Sequence, residues 1–301
     1  MANLLQEYQY SDHVPNDIGV NNLFLPPQTF NMQEKLNNIS EWTKENLMKL
    51  NQKKSNYIFF TRTKNKDFQT RLPMDCQKID RQHFVKVLGV WLSEDISDWS
   101  KNTSEICRKA YGRIGMLSKL KYVGFCTEDL LEIYCLFIRS TTEYCSAVFA
   151  SSLTVEQERK LTNIERTCLK IILKDMYVSY ETALEMCGLS SLSQRRSAHL
   201  LKFAQLSARH PVHGPRMFPE NPNTHDILNI RPREKYKVNF ARGAAYFSST
   251  IPTAQRLLNK GAWQNSYISS FTVQRVMTIY IWFICVLSNK TLWFDLISVT
   301  I

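Results

Sequence analysis

Three lysines, Lys49, Lys53 and Lys54, stand in the stretch MKLNQKKSNYIFF, residues 48–60, directly before a run of strand-forming aromatics. Charge at the mouth of a strand has two uses: a solvated turn leading into a buried strand, or a turn that faces a polyanion. A second basic set, Arg108, Lys109, Arg113, Lys119 and Lys121, falls between the apolar positions of a helical pattern. Such a face is either solvated or in contact with phosphates, and phosphate contacts need no particular order of bases. The stretch RPREKYKVNFAR, residues 231–242, interleaves cations and rings, which suits single strands whose bases stack while phosphates meet charge. The acidic residues offer less. No two aspartates are adjacent; Glu94 with Asp95 and Glu128 with Asp129 read as caps and first-turn acids. His210 and His213 have no Cys or carboxylate at ligand spacing and do not form a metal motif.

These groups sit in a chain of 301 residues, 44% hydrophobic and 22% charged, which can bury a core and form one large or two modest domains. Its 38 Lys and Arg against 27 Asp and Glu leave a formal charge of +11, which favours phosphate-rich partners. The eight cysteines include no Cys-x-x-Cys and read as reduced, mostly buried thiols. The start, MANLLQEYQYSDH, has neither a basic nor an apolar signal region, so a reducing cytoplasmic or nuclear compartment is expected.

Around the charged groups the pattern changes along the chain. Residues 1–27 are an extended amino-terminal segment ending near Pro26 and Pro27. Leu36, Ile39, Thr43 and Leu47 predict an amphipathic helix over 32–50, followed by a strand in SNYIFFTR and a second strand, HFVKVLGVWL, with Gly89 in its middle. Strand signals then largely cease. Ile106, Ala110, Ile114, Leu117 and Leu120 mark a helix ended by Gly124, and a nearly all-apolar helix capped by Thr127 follows. Further helices begin after Thr154 and run through SYETALEMCGL and SLSQRRSAHLLKFAQLSARH to Pro211. Residues 211–260 are read as an irregular, basic region and 261–301 as an apolar tail of uncertain origin. Within the tail, Val276 to Leu287 is twelve residues without charge, short of the roughly 20 that span a bilayer.

The order helix, lysine-rich turn, strand, KVLGVWL and helical module resembles the carboxy-terminal part of reverse transcriptases from non-LTR retrotransposons. KAYGRIGMLSKLKYVG, EDLLEIYCLFIRSTTEYC and SSLTVEQERKLTNIERTCLKIIL carry the resemblance further, which covers roughly Gln6 to Leu258. It implies that residues 28–97 are the end of a palm and 98–210 a helical thumb. Lys54 matches the family's lysine motif, whose role is proton donation to the leaving pyrophosphate, with Lys53 its neighbour. Leu88, Gly89 and Val90 match the core of the primer-grip hairpin.

The family uses Mg2+ held by paired carboxylates of the palm, and that pair is missing here. The expectation is therefore an α+β chain, predominantly α: a truncated reverse-transcriptase remnant without activity or cofactor of its own, retaining template-primer binding. It implies RNA or DNA as partner, no small-molecule substrate and no membrane. Two alternatives stay open: a non-enzymatic nucleic-acid-binding or scaffold module, and a polymerase whose upstream half is encoded elsewhere.

Overall fold

The computed structural model describes residues 19–23, 32–48, 55–60, 73–74, 77–220, 235–260 and 296–300. They are mainly helical with small sheets, an α+β chain dominated by helix. The chain divides into two compact units, one of residues 1–96 with 292–301 and one of residues 97–291.

The first unit contains β1 (Gly19–Leu23), α1 (Met32–Glu45), β2 (Asn56–Phe60), β3 (Pro73–Met74), β4 (Gln77–Lys78), β5 (Asp80–Arg81), β6 (Phe84–Val87) and β7 (Val90–Ser93). Its largest sheet has four strands in the order β1, carboxy-terminal strand Leu296–Thr300, β2, β5. The carboxy-terminal strand runs antiparallel to both neighbours, with Val299 opposite Val20 and Tyr57, while β2 and β5 are parallel. Tyr57, Ile58, Phe59 and Phe60 are all buried, so β2 reads as a continuous apolar run rather than an alternating one. The apolar pattern of the tail sets it apart from the fold, yet five of its residues are a strand inside the sheet.

Helix α1 stops at Glu45, short of the predicted end at residue 50. The Asn46 side-chain amide donates to the Trp42 carbonyl at 2.8 Å, and the backbone amides of Leu47 and Met48 return to Lys44 and Thr43. Leu47 is left-handed at φ 55° and exposed, so it closes the helix instead of extending its apolar stripe.

The second unit contains α2 (Ser100–Val123), α3 (Thr127–Ile133), a π-helical segment Tyr134–Arg139, α4 (Ser140–Glu143), α5 (Ser146–Phe149), α6 (Val155–Leu173), α7 (Tyr180–Met186), α8 (Leu192–Ala208), α9 (His213–Met217), α10 (Ala244–Phe247) and α11 (Thr250–Asn259). Helix α2 packs on α6 and on the π-helical segment, and α8 packs on α5, α9 and α11. Leu117, Leu130, Ile138, Phe149, Leu161, Ile164, Cys168 and Ile172 are buried between these helices. Thr154 starts α6 as expected: its hydroxyl accepts from the Gln157 amide while Gln157 reaches back, an arrangement that contributes about 1 kcal/mol.

Three expectations for this unit are corrected. The apolar helix after Gly124 is capped by the Cys126 sulfur, which accepts from the Asp129 amide, and not by Thr127. It is also discontinuous: it widens to a π-helix and breaks at Cys145, whose φ is 54°. Residues 211–260 are not uniformly irregular, since α9, α10 and α11 lie there. Helix α11 is anchored by Thr250, whose hydroxyl donates to the Val148 carbonyl at 2.8 Å, and by buried Gln255, whose amide donates to the Met217 carbonyl at 2.7 Å.

Among the described cysteines, all free, Cys145 and Cys168 are buried, Cys107, Cys135 and Cys187 partly so, and Cys126 is exposed. Burial pushes the Cys145 and Cys168 thiols up to about 12, so both are inert hydrophobes at neutral pH. No helix among the described residues is long and apolar enough to cross a membrane, and Val276–Leu287 lies outside them.

Candidate nucleic-acid interface

Helix α2 presents the basic set because its other side is committed to the core. Ile106, Ala110, Ile114 and Leu117 are buried, whereas Leu120 is only half-buried. Gly124 ends the helix at φ 101°, donating to the Lys121 carbonyl while Phe125 donates to Leu120, which requires the left-handed conformation that glycine adopts cheaply. The helix carries six Lys and Arg against one acid, Glu105.

The five predicted contact residues do not form one face. Arg108 and Lys119 are exposed and eleven residues apart, about three turns, so they share the solvent side. Arg108 donates to Glu105 at 3.1 and 2.9 Å, and this pairing keeps the Glu105 carboxyl below its usual range. Lys109 is exposed on the flank, and Lys121 is half-buried in the last turn, where a cation suits the carboxy-terminal dipole. Arg113 is engaged within the protein instead, its guanidinium donating to the Phe137 carbonyl and the Thr141 hydroxyl and so tying α2 to the π-helical segment and to α4.

Lys53 and Lys54 lie outside the described residues; the strand they precede begins at Asn56, after buried Ser55. Leu88, Gly89 and Val90 are brought together at a hairpin tip. HFVKVLGVWL is thus two strands, with Val87 opposite Val90 and a two-residue turn between them. Leu88 at φ 47° and Gly89 at φ 89° are both left-handed, which fits the twist of a tight hairpin. Gly89 supports this without penalty, whereas a leucine there is strained by about 1–3 kcal/mol. Val85, Val87, Val90 and Leu92 are buried and hold the turn in place from one face of the hairpin.

The carboxylates are used structurally. Glu94 is not a cap: its buried side chain is bracketed by Arg81 at 2.9 Å and His83 Nδ1 at 2.9 Å. Burial alone would raise its pKa, but the hydrogen bonds from His83 and Arg81 and the adjacent guanidinium charge outweigh it and hold the carboxyl below its ordinary value. Glu128 and Asp129 are first-turn acids of α3. Among the described residues no three His, Cys, Asp or Glu side chains converge as a metal site requires. With Glu94 engaged by Arg81 and His83, these groups do not fit the family's paired Mg2+ ions.

Other polar clusters escape sequence reading because their members are far apart in the chain. Fully buried Glu165 accepts from Tyr134 at 2.8 Å, Tyr180 at 2.5 Å and the Leu192 amide at 3.2 Å, with Arg139 at 3.7 Å. Glu143 bridges Arg139 and Arg195, the latter through both guanidinium arms. Ser146 and His199 meet at 3.3 Å, but the serine is completely buried, so the pair offers no nucleophile to a substrate. His210 and His213 stack at 4.5 Å, and His210 Nδ1 accepts from the Val212 and His213 amides, a local turn.

In the basic and aromatic stretch, residues 235–242 are described. Tyr236 packs edge-on against Phe218 at 6.2 Å, leaving Phe240 as its exposed ring. Compared with known proteins, the chain matches no family model, no curated protein and no solved structure.

Proposed function

We propose that this chain is the carboxy-terminal remnant of a non-LTR retrotransposon reverse transcriptase, the end of a palm followed by a thumb, that binds template and primer without extending them. The observation that carries the reading is the Leu88–Gly89 hairpin. It follows a helix and a buried strand, precedes a helical unit, and holds a strained leucine at the tip where the resemblance puts the primer grip. The basic side of α2 supports the binding half of the proposal, because contacts to a phosphate backbone need charge and not a base order. The carboxylates support the other half: Glu94 is engaged by Arg81 and His83, and Glu128 and Asp129 serve a helix start.

A second reading, a non-enzymatic nucleic-acid-binding module, draws on the second unit having its own buried core. Both readings share the α2 interface and differ on ancestry.

The test is primer extension with purified protein, a primed RNA template, four nucleotides and either magnesium or manganese. Binding with no change in primer length is expected. A general acid at Lys54 contributes typically 100- to 10,000-fold and cannot replace metal-held phosphoryl chemistry. Extension that disappears in Lys54→Ala would overturn the inactive-remnant reading.

A further inference from the structure

The solvent side of α2 carries more than charge. Ser104, Arg108, Tyr111, Gly115, Ser118 and Tyr122 follow one another at alternating steps of four and three, and every one is exposed. Along this side a couple repeats: Arg108 with Tyr111 three residues on, both in the row, and exposed Lys119, at the edge of the row, with Tyr122 three residues on. Residues three apart are neighbours on a helix surface, and the two couples are eleven residues apart, so they lie on one side about 16 Å from each other. Tyr111 is 51% exposed and Tyr122 93%. Between them Gly112 and Gly115 have open space where a side chain would stand, so a ligand backbone can lie directly on the helix.

Resting on the nucleic-acid reading above, we propose that this row, with Lys119 at its edge, is a docking strip for an unpaired strand, bases stacking on Tyr111 and Tyr122 and phosphates meeting Arg108 and Lys119. A face built only for duplex phosphates needs cations and gains nothing from exposed rings, because the bases of a duplex already stack on one another. Unpaired bases offer free π-faces, and stacking on aromatic side chains tolerates any sequence. The single acid on the helix does not oppose this. Glu105 is half-buried and pairs with exposed Arg108 three residues on, and surface pairs of this kind are weak enough to be exchanged for a phosphate.

The experiment is fluorescence anisotropy of the full chain at low salt with three labelled probes: an oligothymidylate, a strand of the same length with abasic sugars, and a blunt duplex. The oligothymidylate is expected to bind at least about tenfold more tightly than the abasic strand. Tyr111→Ala and Tyr122→Ala should each weaken oligothymidylate binding by about 5- to 150-fold. They should leave the abasic strand unaffected, and Tyr111→Phe should retain wild-type affinity. Equal affinity for thymidylate and abasic strands, or indifference to both alanine variants, overturns the stacking proposal. If binding then still responds to Arg108→Glu and Lys119→Glu, the nucleic-acid reading survives alone; if no probe binds, both fall.

Discussion

The guanidinium of Arg81 holds the buried carboxylate of Glu94 at 2.9 Å, joining β5 to the end of the hairpin strand β7. The depressed pKa of Glu94 links this bridge to pH. Its contribution is fully present above the unfolded value near 4.5 and is lost as pH falls through the lower folded value. Unfolding followed by circular dichroism should show wild-type stability declining below that point. Glu94→Gln should cost about 1.5–3 kcal/mol at neutral pH and flatten the acid limb. An acid limb identical in both proteins would contradict the assignment.

At the hairpin tip, strain at Leu88 predicts an unusual sign. Leu88→Asn should stabilise by about 1 kcal/mol, since asparagine tolerates the left-handed region and suits the first position of this turn. Gly89→Val should destabilise by about 1–3 kcal/mol, because a β-branched residue resists φ 89°. Urea midpoints of the two variants measure both, and a stabilising Gly89→Val would refute the turn geometry.

Glu165 is the polar centre of the helical unit. Glu165→Ala leaves Tyr134, Tyr180 and the Leu192 amide without their acceptor and removes one of the two carboxylates beside Arg139, so it should lower stability by about 3–5 kcal/mol. Tyr134→Phe and Tyr180→Phe should each cost about 1–2 kcal/mol, and the double variant should depart from additivity because both hydroxyls share one carboxylate. Denaturant titration of these variants beside the wild type measures the coupling; strict additivity would mean that the hydroxyls act independently.

Arg113 separates folding from binding. Its donors serve the Phe137 carbonyl and the Thr141 hydroxyl, so Arg113→Ala should lower the melting temperature through about 1–3 kcal/mol. Arg108→Ala, at an exposed i, i+3 pair, should shift it little. Thermal melts of the two variants decide between these roles.

Local signals carried much of the architecture. The periodicity of Ile106, Ala110, Ile114 and Leu117, the glycine at 124 and the Thr154 cap are written within a few residues, and each corresponds to an observed helix or terminus. The Leu88–Gly89 turn was hidden because leucine gives no turn signal, and VLGV reads as one apolar run until the left-handed backbone divides it. The strand Leu296–Thr300 pairs with residues more than two hundred positions away, so its role in the sheet has no local signature. The basic residues of α2 were legible by type but not by use. Arg113 is distinguished from Arg108 and Lys119 only by the segment packed beside it, and Lys121 by its partial burial in the last turn.

The proposed function stands or falls on whether the solvent side of α2 binds a nucleic-acid backbone by charge. The salt dependence of binding to a primed template, for the wild type and for the Arg108→Glu, Lys119→Glu double variant, measures this directly. Counterion release makes the logarithm of affinity fall linearly with the logarithm of salt, by about 0.7 to 0.9 per phosphate contacted. A steep wild-type line is expected, with weaker binding and a slope shallower by about 1.4 to 1.8 in the double variant. An affinity independent of salt, or a double variant that overlays the wild type, would contradict binding by charge at this face.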